Sequence, residues 1–344
     1  MGTVKFFMDH QIFEKIPAGS AISIKQLADT TMTDFNLLER FSAFLVAGHV
    51  LESPELGYVA HTPISVILQD HRAVLFYTHI FNFFMLPMSR WTEYFKQHGP
   101  SEPTSTSTPF GHAWGQPDKS LYEILEARPE MAESFNRTMA IALGDMPVIG
   151  AYDFSWIEEY VTYCEQDSRE CTRPLIVDVG GGKGQALNAI LCRYPRIPSR
   201  LCVLQDQAQA IQEATDENEE VLRPVQKKVS SFFDEQPVKG ALVYHIRRVL
   251  NDWPDEDCVT ILRHIREACE PDSRVLVSEQ LLPPEPSLHI AAGDLWMMNF
   301  GGKRRSGRMF TELASKAGLR VFSISKEDSS NSAVIEMVLI GDDV

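Results

Sequence analysis

Residues 175–185 read Leu-Ile-Val-Asp-Val-Gly-Gly-Gly-Lys-Gly-Gln, an aliphatic run that breaks into glycines. The run predicts a strand ending at Val179. Gly180, Gly181, Gly182 and Gly184 then permit a tight turn and a close backbone approach to a ligand, with a helix starting behind them. A strand, a glycine turn and a helix in that order belong to a doubly wound, largely parallel α/β sheet. One such loop is weak evidence alone. Here Val203-Leu-Gln-Asp206 follows as a second strand, ending in an acid placed to accept the ribose hydroxyls of a nucleoside. Asp178, inside the loop, separates the candidate nucleosides. A carboxylate beside the glycines repels a pyrophosphate but welcomes the ammonium of an amino-acid tail, which favours S-adenosylmethionine or S-adenosylhomocysteine over NAD.

The texture of the chain divides near residue 150, giving two expected domains, 1–150 and 151–344; a length of 344 residues suits two. The first half reads as helical. Ser23 caps one helix, and Asp34 opens a second over 36–50, with Leu37, Leu38, Phe41, Phe44 and Leu45 at helical spacing. Residues 50–62 read as a short hairpin. Helix, helix and hairpin make a winged-helix-like module. No basic cluster accompanies it, so packing and dimerisation are expected in place of DNA binding. A long helical region over 63–97 leads into a Ser/Thr/Pro-rich stretch, 99–109, expected to be flexible, and then to helices at 121–127 and 130–142. Beyond the boundary, strands are expected at 175–179, 199–205, 240–244, 274–279, 320–325 and 333–340, most separated by helical stretches.

Composition narrows the partners. Lysine and arginine number 32 against 47 acidic residues, a net charge of −15. That surface repels nucleic-acid backbones and anionic lipid. Residues 1–11 lack the pattern of a secretory signal, and the most apolar stretch, 73–88, is too short to span a bilayer. The six cysteines form no CxxC pair and no metal spacing. These features lead us to expect a cytosolic protein with reduced thiols, no metal, no membrane and no nucleic acid.

DVGGGKG, VLQD, FFDEQPVKGA, RRVLNDWPDED, SEQLLPPE, DLWMMNFGGKRR and LASKAGL resemble, in order and spacing, the motifs of fungal and plant-type small-molecule O-methyltransferases. The resemblance covers nearly the whole chain. It implies a class I methyltransferase core, a Rossmann-like doubly wound sheet, behind an N-terminal helical winged-helix-like dimerisation domain, in a homodimer that holds its substrate between the two domains. Cofactor contacts are implied at Asp178, Gly180, Gly182, Asp206, Ser231, Phe232 and Arg247, with Ser231 standing where an adenine-binding aspartate is usual. Substrate-lining positions fall at His112, Met139, Asp294, Met297 and Met298. Family members usually carry one or two further helices ahead of Phe6.

The chain departs from the family where the chemistry is done. A histidine that takes the proton from the acceptor hydroxyl is usual at Asn251, and an amide is no base. The glutamate that orients that histidine is replaced by Arg304, while the other orienting carboxylate, Glu279, is kept. A pericyclase subgroup of fungal homologues, the leporin type, is similar in this respect. Its members bind S-adenosylmethionine as a fixed charge and catalyse dehydration with Diels–Alder, Alder-ene or related steps. Asp252 matches that subgroup, as does His79 within Phe76-Tyr-Thr-His-Ile, although a histidine among aromatics is as readily a core residue. The expected catalytic set is therefore His79, Asn251, Asp252, Glu279 and Arg304. The expected function is a pericyclase or dehydratase acting on a polyketide or polyketide–amino acid hybrid. The alternatives are a genuine methyltransferase whose acceptor ionises unaided and an inactive dimeric regulator.

Overall fold

The computed structural model describes residues 1–141, 146, 149, 152–166, 171–327 and 331–341. The chain forms two compact units, Met1–Thr92 with Tyr122–Ala142 and Glu93–Leu121 with Leu143–Val344. Residues 93–121, counted above with the helical half, thus belong to the second unit. The contacts there are specific. The Phe110 N–H donates to the Asn299 carbonyl at 3.0 Å, and the Phe110 ring meets Phe300 edge-on. The stretch expected to be a loose loop is held as well: Thr104 and Ser107 exchange backbone hydrogen bonds, and Thr108 caps the helix Pro109–Ala113.

In the first unit, Ser23 Oγ accepts the Gln26 N–H and starts the helix Ile24–Thr31, and Asp34 Oδ1 does the same for Leu37 and the helix Phe35–Ala47. Strand β1 (Ile22–Ser23) joins β2 (Leu51–Glu52) and β3 (Tyr58–His61) in an antiparallel sheet ordered β1-β3-β2, one strand more than the hairpin expected. Phe7, Phe13, Leu27, Leu38, Leu45 and Val59 close the core beneath this winged-helix-like arrangement. The long helical region breaks into pieces, among them His71–Ile80, a π-helical turn Phe81–Met85 and Leu86–Ser89.

The second unit is built on seven strands: β4 (Ile176–Val179), β5 (Cys202–Asp206), β6 (Gln226–Val229), β7 (Val243–Arg247), β8 (Arg274–Gln280), β9 (Leu319–Lys326) and β10 (Ser332–Leu339). Their order is β6-β5-β4-β7-β8-β10-β9, with β10 antiparallel to both neighbours. Successive residues of the central strands enter two different cores. Val177, Tyr244, Ile246, Val275 and Val277 face one, and Ile176, Val243 and Leu276 face the other. This alternation is what a sheet covered by helices on both faces requires. The sequence expectation missed β6, because its Gln-Lys-Lys-Val is an edge strand without an apolar run. It also set β7 three residues early, which hid His245 and Arg247 from the strand.

Candidate active site

The glycine turn forms as expected. Gly180, Gly182 and Gly184 have φ of 68°, 60° and 85°, the left-handed region that glycine enters without penalty. Gly181 is required for another reason: a Cβ there would stand 2.4 Å from Asp178 Oδ2. The N–H groups of Gly180 and Gly181 donate to the Gln205 carbonyl, which ties the turn to the end of β5. Asp206 completes the cradle. Its Oδ2 accepts the Gly182 N–H at 2.7 Å and its Oδ1 the Gln207 N–H at 2.7 Å. Burial, and then the charge of Asp178, push its carboxyl above the ordinary range against those two donors. Lys183 turns away, onto Glu217 and Glu213, so the loop presents acids and backbone without a phosphate-binding ammonium.

Asp178 is 0% exposed, with Oδ1 3.0 Å from His245 Nδ1 and Oδ2 without a hydrogen-bond partner. Ser231 and Phe232 line a small pocket with Val179, Gly180 and Gln205. Ser231 Oγ is engaged in its own turn, accepting the Phe233 N–H, and Phe232 lies beside Gly180 and against Trp253. Arg247 donates to the Met146 carbonyl at 3.0 Å; burial and the neighbouring Arg248 lower its affinity for its proton. No ion pair of Arg247 or Arg248 with an acidic side chain occurs among the described residues.

Two carboxylates and a glycine turn without side chains suit a ligand that is a nucleoside at one end and a cation at the other. Asp206 retains lone pairs for ribose hydroxyls, and its carboxylate beside that of Asp178 favours positive charge nearby. These residues fit S-adenosylmethionine, and a pyrophosphate would meet like charge.

The segment after β7 is clamped from two sides. Glu279 Oε1 accepts the backbone N–H of Val249 at 2.9 Å and of Asn251 at 3.3 Å. Glu279 is 2% exposed; burial first and then the charge of Asp252 push its carboxyl up to about 7. From the other side, the fully buried Arg305 donates to the carbonyls of Leu250 and Trp253 and to Asp255 Oδ1, each at 2.7–2.8 Å. Gly302 is pressed against the same segment: a Cβ there would lie 2.2 Å from the Asn251 carbonyl oxygen. Arg305 and Gly302 were not foreseen as parts of the site. Both lie in the DLWMMNFGGKRR motif, but nothing local in that run marks their partners in the segment 250–255.

Asn251 is 7% exposed. Its Nδ2 donates to the Gln280 carbonyl at 3.2 Å, and its Oδ1, buried, has no hydrogen-bond partner. A carbonyl accepts and cannot donate, so this contact fixes which end of the amide is nitrogen. Val249, two residues earlier, would touch a Cβ on Gly180 at 3.0 Å, so the segment that carries Asn251 begins beside the glycine turn. Asp294 Oδ1 accepts the Arg304 N–H, and the Arg304 guanidinium covers Gly293 on the helix Leu288–Met298, which also carries the half-buried Met297 and Met298. His112 lies 3.8 Å from Glu93, with the Tyr94 ring edge-on.

Two of the predicted residues belong to the first unit. Met139 is half-buried on the helix Pro129–Ile141. His79 is 1% exposed, stacked on Phe83 at 4.6 Å and flanked by Phe135 at 5.5 Å; burial lowers its pKa to about 4.

A doubly wound sheet with a seventh strand antiparallel at β10, a glycine turn and two carboxylates define an S-adenosylmethionine-dependent enzyme of the class I methyltransferase fold. A family model described as an O-methyltransferase domain matches residues 167–320. Methyltransferase fsa4 of Fusarium sp. (strain FN080326) is 54% identical over 98% of this chain and 92% of its own length. Methyltransferase eqxD of Fusarium heterosporum is 52% identical over 98% and 92%. The chain belongs to this methyltransferase family. Among solved structures, OxaC in complex with SAH and oxaline is similar with a TM-score of 0.82 and 22% identity, over 98% of this chain and 84% of that one. The LepI complex with SAM is similar with a TM-score of 0.73 and 22% identity, over 98% and 85%. These two likenesses show the shared fold.

Proposed function

We propose that this protein methylates a small molecule at an acceptor atom that needs no protein base, a nitrogen bringing its own lone pair together with an N–H. The observation that carries this is the orientation of Asn251. Its amide nitrogen is spent on Gln280, which leaves a buried, unpartnered oxygen that can only accept. An anionic oxygen facing Oδ1 would be repelled, whereas an N–H satisfies it. Leaving such an acceptor unpaired costs about 1–3 kcal/mol, so a donor on the substrate gains at least part of that. S-adenosylmethionine, when bound at Asp178, Gly180, Gly182 and Asp206, supplies an electrophilic methyl group. Asn251 then holds the acceptor by its N–H, Glu279 and Arg305 hold Asn251, and the displaced proton is released to water. The names of the relatives at 52–54% identity, both methyltransferases, support the same reading.

A second reading, a pericyclase or dehydratase that retains the cofactor uncleaved, rests on the loss of the histidine at position 251 and on the fold shared with LepI. It asks His79 to act on substrate. Buried among Phe83 and Phe135 with a pKa of about 4, His79 is uncharged at neutral pH and offers only neutral hydrogen bonding. The methyltransferase reading asks nothing of it. With either reading we propose a polyketide or polyketide–amino acid hybrid as substrate, in fungal secondary metabolism. His112, Met139, Asp294, Met297 and Met298 are proposed to line it, in a cytosolic homodimer formed by the helical unit.

Substitution at Asn251 tests the preferred reading. Asn251→Ala should lower the rate of methyl transfer by about a hundredfold, in the range seen when one hydrogen bond at a reacting centre is removed. S-adenosylmethionine affinity, read by calorimetry, should stay unchanged. Unaltered methyl transfer in this variant would overturn the role assigned to Oδ1.

A further inference from the structure

A hydrogen-bonded chain crosses the middle of the sheet, and the acceptor chemistry does not use it. Asp178 on β4 pairs in register with His245 on β7, and its Oδ1 lies 3.0 Å from His245 Nδ1. On the other side, His245 Nε2 lies 3.1 Å from Ser278 Oγ on β8. His245 and Ser278 are 1% and 4% exposed, and the edge of Phe154 closes over the imidazole. These are the three residue types of the acyl-transfer triad. A serine enclosed within a sheet cannot meet a carbonyl substrate, so a nucleophilic role fails on burial.

The chain makes sense from its other end. Asp178 Oδ2 has no hydrogen-bond partner and faces Gly181 from beneath the turn. Nothing bonded to that oxygen fixes the rotation of the carboxylate. What fixes it is the bond on the opposite oxygen, to His245. A carboxylate can only accept, so the ring proton belongs on Nδ1, and Nε2 of the neutral imidazole then accepts the Ser278 hydroxyl. Ser278 also precedes Glu279, so the strand that steadies the imidazole is the one that holds the Asn251 segment.

We propose that His245 is a positioning residue for the cofactor. Its Nδ1–H holds the Asp178 carboxylate in one rotation beneath residues 180–182, keeping negative charge where a cationic ligand sits. This holds whichever reaction follows cofactor binding, so its test is separate from that of the acceptor chemistry.

The test is calorimetric titration of the purified full chain with S-adenosylmethionine. An asparagine amide can stand where Nδ1 stands, a glutamine amide reaches toward Nε2, and phenylalanine fills the space with no donor. His245→Asn should bind within about threefold of wild type, while His245→Gln and His245→Phe should bind about tenfold or more weakly, the loss expected for a hydrogen bond to a charged group. Wild-type affinity in His245→Phe would overturn the proposal. Equal weakening in the asparagine and glutamine variants would do so too, since it would mean a packing role alone. Should the variants fail to fold, the wild-type protein gives the answer by nitrogen-15 NMR of the imidazole, assigned through its contact with Phe154. The Nδ1–H tautomer is expected, and an Nε2–H tautomer would contradict it.

Discussion

Two buried titratable side chains work in opposite directions on stability, and each can be isolated by a single change. The Glu279 carboxyl is raised from 4.5 to about 7 in the folded protein. A raised acid favours the protonated folded state, so its contribution is best below pH 4.5 and is lost as pH rises to 7. Glu279→Gln keeps an acceptor for the Val249 and Asn251 N–H groups and removes the titration. The stability of this variant relative to wild type should therefore improve by on the order of 3 kcal/mol between pH 4.5 and pH 8, read by denaturant unfolding. An unchanged difference across that window would refute the assignment. His79 is lowered from 6.5 to about 4. A depressed base contributes its stability above pH 6.5 and loses it as pH falls toward 4, so His79→Phe should resist acid better than wild type over that range. Acid unfolding at the same pH in both proteins would count against it. Glu279 was legible from its place in the SEQLLPPE motif, but its grip on backbone rather than on a catalytic side chain was not. Burial, which decides both pKa shifts, cannot be read from a lone letter in a chain.

At the scale of elements, the segment 249–255, with its 3₁₀ turn Leu250–Asp252, is held by the charged side chains of Glu279 and Arg305. Arg305 satisfies two carbonyls and one carboxylate with no exposure to water. Lysine cannot reproduce that planar fork. Arg305→Lys is expected to cost about 3–5 kcal/mol, the range for breaking a buried ion pair, measured as a drop in the unfolding midpoint. A loss below about 1 kcal/mol would show that the clamp is replaceable by water. The contrast between β4 and β6 explains what sequence can and cannot reveal. Ile176–Val179 is buried on both faces and announces itself by composition, with glycines marking its end. Gln226–Val229 is a strand only because β5 offers it an edge, and no local pattern records that. The same limit hid Arg305, whose partners lie some fifty residues away.

At the scale of the molecule, the acidic surface and the two compact units fit an enzyme for a small molecule better than one for nucleic acid. No helix among the described residues is long and apolar enough to cross a membrane. The helical unit exposes Phe44, Ile64, Val66, Ile67 and Phe76. If these form the proposed dimer contact, light scattering at micromolar concentration should give about twice the mass of one chain, 38.8 kDa. A single-chain mass would remove the dimer from the account. On the function proposed above, the site transfers a methyl group without a base of its own. Its most direct test is incubation with S-adenosylmethionine carrying a deuterated methyl group and a polyketide–amino acid hybrid bearing an N–H, followed by mass spectrometry and NMR of the product. A labelled methyl group bonded to nitrogen is the expected product. A product that has lost water or merely isomerised, with the label still on the cofactor, would contradict it.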